Sequence, residues 1–245
     1  SNSVETLSDR LSANLRQGRH DVFQTQAVMV PNGNMQKFLQ LAISKKNTVC
    51  ANVEFPFLES GLNDALRQLT DDQSILPLQV DKLTQLIVIA LQEEELGKNA
   101  YLPFSQYLLE DSKICSKKLW QLAARLSTRF LEYELSRSEM LTSWLVGNTV
   151  FDHKSDPTLS SLEEAQKELY CAIFKENGYR DQHAPKLKTL CQYFSELKKE
   201  KKSSPRNLEE LHIFTPTRLS VFHRNLLCWL GKFYQVHLYH LNVCS

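Results

Sequence analysis

The sequence contains 245 residues, of which 42% are apolar and 23% are charged, and its formal net charge is +1 at pH 7. This composition is typical of globular proteins that need no disulfides, and the near-zero charge excludes a general attraction to nucleic acids. The longest apolar run, residues 86–91, is much shorter than the roughly 20 residues that cross a bilayer. We therefore predict a cytoplasmic protein with no membrane partner, in which any nucleic-acid site requires a local patch.

The amino-terminal part of the chain alternates helical patterns with strand-like runs. Apolar residues recur at helical spacing over residues 3–16, and this immediate start without an initiating Met leads us to expect a segment of a longer protein. A strand at 27–31 breaks in the sequence Pro-Asn-Gly-Asn and passes directly into a helix that contains Met35. A second strand at 48–54 leads through a proline into a helix near 59–69.

The middle of the chain shows helical periodicity throughout. We predict long helices at 79–95 and 112–136, and shorter ones near 103–110, 138–147, 160–177 and 186–199. The helix at 112–136 has one apolar stripe, formed by Leu119, Leu122, Leu126, Phe130 and Tyr133. A row of basic residues runs beside this stripe: Lys118, Arg125 and Arg129.

The carboxyl-terminal part has the pattern of a strand, a helix and a second strand. After a charged linker at 198–207, we predict a strand at 211–215, a helix with Thr217 as its N-cap and Gly231 at its end, and a strand at 235–241. A crossover of this kind joins parallel strands.

These elements together predict an α/β fold with a discontinuous domain. Residues 1–75 and 205–245 supply the strands and covering helices of one parallel-sheet domain, and residues 76–204 form an all-helical insertion.

The sequence lacks the residues of the common catalytic sites. No strand–loop–helix junction contains the Gly-Lys-Ser/Thr of a phosphate loop, so we predict no nucleotide cofactor and no ATP hydrolysis. The Ser nucleophile pattern G-x-S-x-G is absent, as is the clustered Asp…Glu-x-Lys of a nuclease. The six cysteines form no C-x-x-C pair, and we predict buried reduced thiols. His237 and His240 face opposite sides of a predicted strand, so we predict no metal site.

Two features are compatible with nucleic-acid binding. Asn32, Gly33 and Asn34 stand where a strand meets a helix, so backbone N–H groups there can hold a phosphate while the amide side chains meet a base. The alternative is that Asn-Gly only forms a turn. The basic row of the helix at 112–136 can likewise follow a phosphate backbone, and the alternative is an ordinary hydrated helix face.

Three blocks of the sequence carry a family pattern. The first is VMVPNGNMQKFLQLAISKKNTVCANVEFPF (28–57), with a strand, a polar turn, M-Q-x-[WF]-L-Q and A-N-[IV]-[DE]-F-P. The second is KLWQLAARLSTRFLEYELSRSEMLTSW (118–144), and the third is LHIFTPTRLSVFHRNLLCWLGKFYQVHLYHLNVC (211–244). In sequence, order and spacing these blocks resemble the RecC (gamma) subunit family of exodeoxyribonuclease V.

The resemblance implies a fold and a function. Members of this family have a RecA-like, superfamily 1 helicase-like fold that has lost its ATPase motifs, and the α/β part and the insertion correspond to regions 1A and 1B. It implies a non-catalytic subunit of a helicase–nuclease complex for double-strand break repair and recombination, with RecB-like and RecD-like partners. Such a subunit lines the channel for the displaced 3′-ended single strand of DNA and contributes to hotspot recognition. The alternative function is a scaffold whose helical lobe docks a partner subunit.

The resemblance also implies site residues. By position in the matching blocks, they are Pro31, Gly33, Phe57 and Asn63 in the α/β part and Thr128, Arg129, Leu131 and Arg137 in the long helix. Arg137 agrees with the family pattern. Thr128 and Leu131 stand where acidic residues are expected, and Asn63 stands where a tryptophan is expected.

Overall fold

The computed structural model describes residues 3–17, 23, 25–70, 74–94, 96–150, 156–199, 209–215 and 219–241. The helices are α1 (Val4–Gln17), α2 (Gly33–Asn47), α3 (Leu58–Gln68), α4 (Val80–Glu93), α5 (Leu102–Leu108), α6 (Ser116–Ser136), α7 (Ser138–Leu145), α8 (Pro157–Phe174), α9 (Tyr179–His183), α10 (Leu190–Lys199) and α11 (Val221–Leu230), with one 3-10 turn at Asn99–Tyr101. The strands are β1 (Gln26–Met29), β2 (Val53–Glu54), β3 (Leu76–Pro77), β4 (Leu109–Glu110), β5 (Lys113–Ile114), β6 (Leu187–Lys188), β7 (Glu209–Thr215) and β8 (Tyr234–His240). The chain divides into two compact units: Ser1–Asp71 with Glu196–Ser245, here named unit 1, and Asp72–Ser195, here named unit 2.

A four-stranded sheet lies in unit 1, with the strand order β2-β1-β7-β8. All three strand pairs are parallel. The register pairs Val28 of β1 with His212 of β7, and His212 with His237 of β8. The prediction of an α/β fold with a parallel sheet is therefore confirmed.

Helices cover both faces of this sheet. On one face, α1 and α2 contribute to a buried cluster of Leu7, Leu11, Leu15, Val28, Val30, Leu39, Ile43, Phe55, Phe214 and Tyr239. Met29 alternates to the opposite face, where α3 lies against it. A Cβ atom built on Gly61 of α3 would lie only 2.6 Å from Cγ of Met29. A residue without a side chain at position 61 therefore lets α3 approach the sheet.

The second strand is much shorter than the predicted strand at 48–54. Only Val53–Glu54 pairs with β1. Thr48 and Asn52 have φ angles of 67° and 54°, in the left-handed region that an extended strand excludes. The predicted strand is wrong over most of its length, because these residues turn the chain between α2 and β2.

The last helix begins with a cap that the sequence reading missed. The side-chain oxygen of Ser220 accepts a hydrogen bond from the His223 backbone N–H at 3.2 Å, and Gly231 ends the helix as predicted. Thr217, the predicted N-cap, lies outside the described residues. Most of the predicted linker at 198–207 lies outside them as well.

Unit 2 consists mainly of helices packed around one apolar core. α4, α6 and α8 supply many of its side chains, and Phe130 and Trp144 are among the largest that are fully buried. Aromatic rings meet edge to face here, with Trp144 5.9 Å from Tyr170 and Phe130 5.3 Å from the same ring. The predicted apolar stripe of α6 lies in or at the edge of this core.

The prediction that residues 76–204 are all helical is wrong in two places. β3 and β6 form a short parallel ladder, and β4 and β5 form an antiparallel hairpin. Asp111 and Ser112, between β4 and β5, have φ angles of 47° and 64°. Two central residues with positive φ are typical of a tight two-residue hairpin, which interrupts the predicted helical pattern. Among the described helices, none is long and apolar enough to span a membrane.

Candidate nucleic-acid interface

At the edge formed by the carboxyl ends of the unit 1 strands, the connections that follow β1 and β7 lead to opposite sides of the sheet. From β1 the chain passes through α2 to β2 on one side, and from β7 it passes through α11 to β8 on the other. Right-handed crossovers in opposite directions place these helices on opposite faces and open a crevice beyond β1 and β7. Parallel α/β sheets bind ligands at such a point. Residues 31–34 follow β1 directly and therefore lie at this edge.

Asn32 caps the helix that starts here. Its side-chain Oδ1 accepts a hydrogen bond from the Met35 backbone N–H at 3.0 Å, and its backbone oxygen accepts from Gln36 N–H at 3.2 Å. The backbone N–H groups of Gly33 and Asn34 have no hydrogen-bond partner among the residues that the model describes. Two donors at the positive end of the helix dipole are thus available to an anion.

Gly33 is the first residue of α2 rather than a residue of a turn. Its φ is not positive, and a Cβ atom built on it would meet nothing within 4 Å. The Asn-Gly pair therefore starts a helix through the Asn32 cap, and neither the turn interpretation nor the placement of Gly33 in a turn is correct. The Asn32 oxygen is occupied by the cap, whereas the Asn34 side chain is exposed.

The chain after β2 brings Phe57 to the same edge. A parallel bridge joins Val30 to Phe57, and the Leu58 N–H donates to the Val30 oxygen at 3.1 Å. The Phe57 side chain is 53% exposed. Asn63 is different, because it is buried and its Nδ2 donates to the Glu59 backbone oxygen at 2.9 Å. Phe57 therefore joins residues 31–34 at the edge, and Asn63 does not.

The basic row on α6 belongs to unit 2. Lys118 forms an ion pair with Glu110 at 2.8 Å, and this hydrogen bond raises the pKa of the Lys118 ammonium group. Arg129 pairs with Glu132 at 2.6 Å. Arg125 is exposed and makes no ion pair with any residue that the model describes. The three side chains share a helix face, since their spacing of seven and four residues is close to whole helical turns.

Thr128 and Arg137 are also on the surface of α6, whereas Leu131 is partly buried against the core of unit 2. The Thr128 hydroxyl donates to the Ala124 backbone oxygen at 3.1 Å. Arg137, at the end of the helix, is exposed and lies over the Tyr133 ring at 5.6 Å. The predicted sites therefore form two groups, one in each unit: residues 31–34 with Phe57, and the exposed face of α6.

The sequence reading missed Trp120 on the α6 surface. This side chain is 51% exposed, and the helical period places it in line with Ala124 and Thr128. An exposed aromatic ring is a common platform for the bases of single-stranded nucleic acids. The sequence does indicate this exposure, because Trp120 does not belong to the apolar stripe of α6 that begins at Leu119.

Comparison with known proteins identifies the family. A family model described as RecC, N-terminal domain matches residues 1–245. The chain belongs to this RecC family. RecBCD enzyme subunit RecC of Haemophilus influenzae is 25% identical over 267 residues, which include 100% of this chain and 23% of that protein.

Two further RecC relatives match at a similar level. RecBCD enzyme subunit RecC of Escherichia coli K12 is 24% identical over 94% of this chain, and that of Mycolicibacterium smegmatis is 26% identical over 96%. Each match covers 20% of the relative's length. This chain thus spans about a fifth of the RecC proteins that it matches, and its predicted membership of the RecC family is confirmed.

Proposed function

We propose that this chain is a non-catalytic part of a helicase–nuclease complex and binds the displaced 3′-ended single strand of DNA. In this proposal unit 1 is the RecA-like 1A region without ATPase motifs, and unit 2 is the helical 1B region. The partners are RecB-like and RecD-like subunits, the assembly acts in the cytoplasm on double-strand breaks, and the channel surface contributes to hotspot recognition. The names of the relatives, each a RecC subunit of a RecBCD enzyme, support this assignment.

The observation that carries the proposal is the amino terminus of α2 at the switch point of the sheet. The free N–H groups of Gly33 and Asn34 are suited to a phosphate oxygen, and these contacts fix the position of a strand without reading its sequence. The exposed Phe57 ring lies at the same edge and offers a surface for a base. Backbone N–H groups that can bind a phosphate, together with an exposed aromatic ring at the same edge, are a combination that fits single-stranded DNA.

The exposed face of α6 supports the same proposal independently. Arg125, which forms no ion pair with any described residue, can bind a phosphate, and Arg129 is exposed although it pairs with Glu132. Surface ion pairs are worth about 0.2–1 kcal/mol, so a DNA phosphate can compete with Glu132 for this arginine. Trp120 is exposed on the other flank of the α6 surface from Arg125 and Arg129, where its ring can stack on a base.

A second function, a scaffold that docks a partner protein through unit 2, is favoured by a different observation. Leu145 and Val146 are adjacent at the end of α7 and are 37% and 70% exposed, and Val150, four residues further on, is 56% exposed. Adjacent exposed apolar side chains are typical of protein interfaces. Salt-dependent binding of single-stranded DNA distinguishes the proposed function from this one.

Replacing Gly33 by Pro is expected to weaken binding of single-stranded DNA at least tenfold. Proline removes one free N–H group but suits the first position of a helix, and Asn32 already has the extended backbone that precedes proline. Hydrogen bonds to charged groups contribute about 1.5–3 kcal/mol, which corresponds to a factor of ten or more. Fluorescence anisotropy of a labelled oligonucleotide with the purified chain measures the change.

Gly33→Ala is the matched control for this experiment. It keeps the N–H group, its new Cβ meets nothing within 4 Å, and it should bind DNA as the parent does. Equal affinity of the proline and alanine variants for DNA would contradict the role of this helix terminus.

The double substitution Arg125→Ala and Arg129→Ala is expected to reduce the salt dependence of DNA binding. Each phosphate contact with a single strand contributes about 0.7 to the slope of log K against log salt concentration, so the slope should fall by about 1.4. The control is Lys175→Ala with Lys186→Ala, two exposed cations of unit 2 outside α6, which remove the same charge. If both double variants change the slope equally, α6 makes no specific phosphate contacts.

A further inference from the structure

A cluster of polar side chains lies on one face of β7 and β8. Glu210 and His212 on β7 point to the same side because they are two residues apart, and His237 is the register partner of His212 on β8. The two imidazole rings are nearly parallel, with 4.9 Å between their centroids. The parallel register therefore brings together two histidines and a carboxylate that are distant in the sequence.

The donor atoms of these three residues lie close together. His212 Nε2 lies 3.1 Å from Glu210 Oε2, and His237 Nε2 lies 3.8 Å from Glu210 Oε1. One ligand atom from each residue lies within 4.8 Å of the other two. His237 Nε2 is buried and has no hydrogen-bond partner among the described residues. A buried nitrogen without a partner carries an energetic cost that a ligand can remove.

A second group of contacts holds His212 in place. The Tyr239 hydroxyl lies 3.2 Å from His212 Nδ1 and accepts a hydrogen bond from Asn14 Nδ2 at 2.8 Å. Histidines that bind metals characteristically use their second ring nitrogen in this way, which directs the first toward the ion. His212 is almost fully buried, whereas the side chains of Glu210 and His237 are 27% and 23% exposed. An ion can thus reach the cluster from solvent.

We propose that Glu210, His212 and His237 bind a divalent transition-metal ion, with Zn²⁺ as the best match. Two imidazoles and one carboxylate are a set that zinc uses, with a solvent molecule in the fourth position. Zinc–ligand bonds of about 2.0–2.1 Å place the ligand atoms of a tetrahedral site about 3.3 Å apart. The two separations from Glu210, 3.1 and 3.8 Å, bracket this value, and side-chain rotations would bring all three ligand atoms to it. Magnesium and calcium prefer oxygen ligands and are excluded by the imidazoles.

The bound ion would connect β7 to β8 and, through Tyr239 and Asn14, to α1. Its expected role is to stabilise unit 1, because an ion that binds only the folded state raises the melting temperature. This role does not depend on DNA binding. The sequence prediction of no metal site compared His237 only with His240, and the pairing with His212 became visible only with the strand register.

The test uses the whole chain, purified without a histidine tag and treated with a chelator. One Zn²⁺ ion is expected to bind per chain in isothermal titration calorimetry, with a dissociation constant below about 10 μM. Bound Zn²⁺ should also raise the melting temperature of the protein by several degrees. Mg²⁺ should do neither. Co²⁺ should give the visible absorption of a tetrahedral nitrogen and oxygen site, which reports the ligands directly.

Three variants assign the ion to this cluster. His237→Gln removes a partly exposed ligand and should weaken Zn²⁺ binding at least 100-fold, while Tyr239→Phe, which releases His212 Nδ1, should weaken it about 10–100-fold. His240→Gln, an exposed histidine of the same strand, should bind Zn²⁺ as the parent does. The proposal is overturned if the parent binds Zn²⁺ only above 100 μM, or if His237→Gln retains parental affinity and the parental Co²⁺ spectrum.

Discussion

Replacing Glu134 by Gln is expected to change the free energy of unfolding in a pH-dependent way. Relative to the parent, the variant should gain about 3 kcal/mol of stability between pH 4.5 and pH 8. Glu134 lies within the core of unit 2, where its side chain is 4% exposed and accepts a hydrogen bond from the Tyr170 hydroxyl at 3.3 Å. Burial raises the pKa of this carboxyl group from 4.5 to about 7. Hydrogen bonds from Thr189, Tyr170 and Cys191 and the charge of Arg180 lower the pKa, but their effect is smaller than that of burial.

The sign of the effect follows from proton binding. Because the folded pKa of Glu134 lies above the unfolded value, the folded protein holds a proton that the unfolded chain has lost between pH 4.5 and 7. The stability that the protonated group provides is complete below pH 4.5 and is lost as the pH rises through 7. A shift of one pKa unit corresponds to about 1.4 kcal/mol, so the whole shift amounts to about 3 kcal/mol. Glutamine is neutral at every pH and avoids this loss.

Urea unfolding of the parent and the Glu134→Gln variant at pH 4.5, 6 and 8 measures the difference. Groups that titrate equally in both proteins cancel in this comparison. Glu139→Gln, which removes an exposed carboxylate at the start of α7, is the control for replacing a carboxylate on the surface. A Glu134→Gln variant whose advantage does not grow with pH would show that Glu134 is ionised in the folded protein.

Replacing Trp144 by Ala is expected to lower the free energy of unfolding of unit 2 by about 3–5 kcal/mol. The Trp144 ring is 1% exposed and contacts Tyr133 and Tyr170 edge to face. Its Nε1 donates a hydrogen bond to Glu163 Oε1 at 2.9 Å. Alanine therefore creates a cavity and also removes a donor from a buried carboxylate, two effects that act in the same direction.

Two further variants separate the causes of this loss. Trp144→Phe keeps most of the apolar volume and removes the donor to Glu163, so it should be less damaging than alanine. Trp120→Ala makes the same chemical change on the surface of α6 and should alter the stability by no more than about 0.5 kcal/mol. Thermal unfolding followed by circular dichroism ranks the three variants. Equal losses for Trp144→Ala and Trp120→Ala would contradict the assigned core.

The sequence predicted the helices better than the strands, for a physical reason. The stripe from Leu119 to Phe130 reports burial directly, because an apolar face repeats over about three turns of α6. The segment from Thr48 to Asn52 has apolar and β-branched residues too, but its conformation depends on two positive φ angles that no periodicity reveals. Short segments carry too few repeats to separate a strand from a turn.

The candidate sites were predictable to different degrees. The strand–helix junction at residues 31–34 was visible as a pattern, but the use of the Asn32 oxygen as a helix cap depends on atomic contacts. The approach of His212 to His237 depends on the register of β7 and β8, which the sequence leaves open. Contacts between neighbouring strands depend on how the strands pair in the folded protein. The sequence therefore shows that His212 and His237 are present but not that they are neighbours.

The pairing of β1 with β7 has a consequence for biosynthesis. β1 and β2 are made early, yet their sheet is completed only when residues 209–240 have been synthesised, after all of unit 2. Because a chain is synthesised at about 5–20 residues per second, β1 lacks its partner β7 for seconds while the intervening helices emerge from the ribosome. During this interval Val28 and Met29 lack their native neighbours on β7, His212 and Ile213.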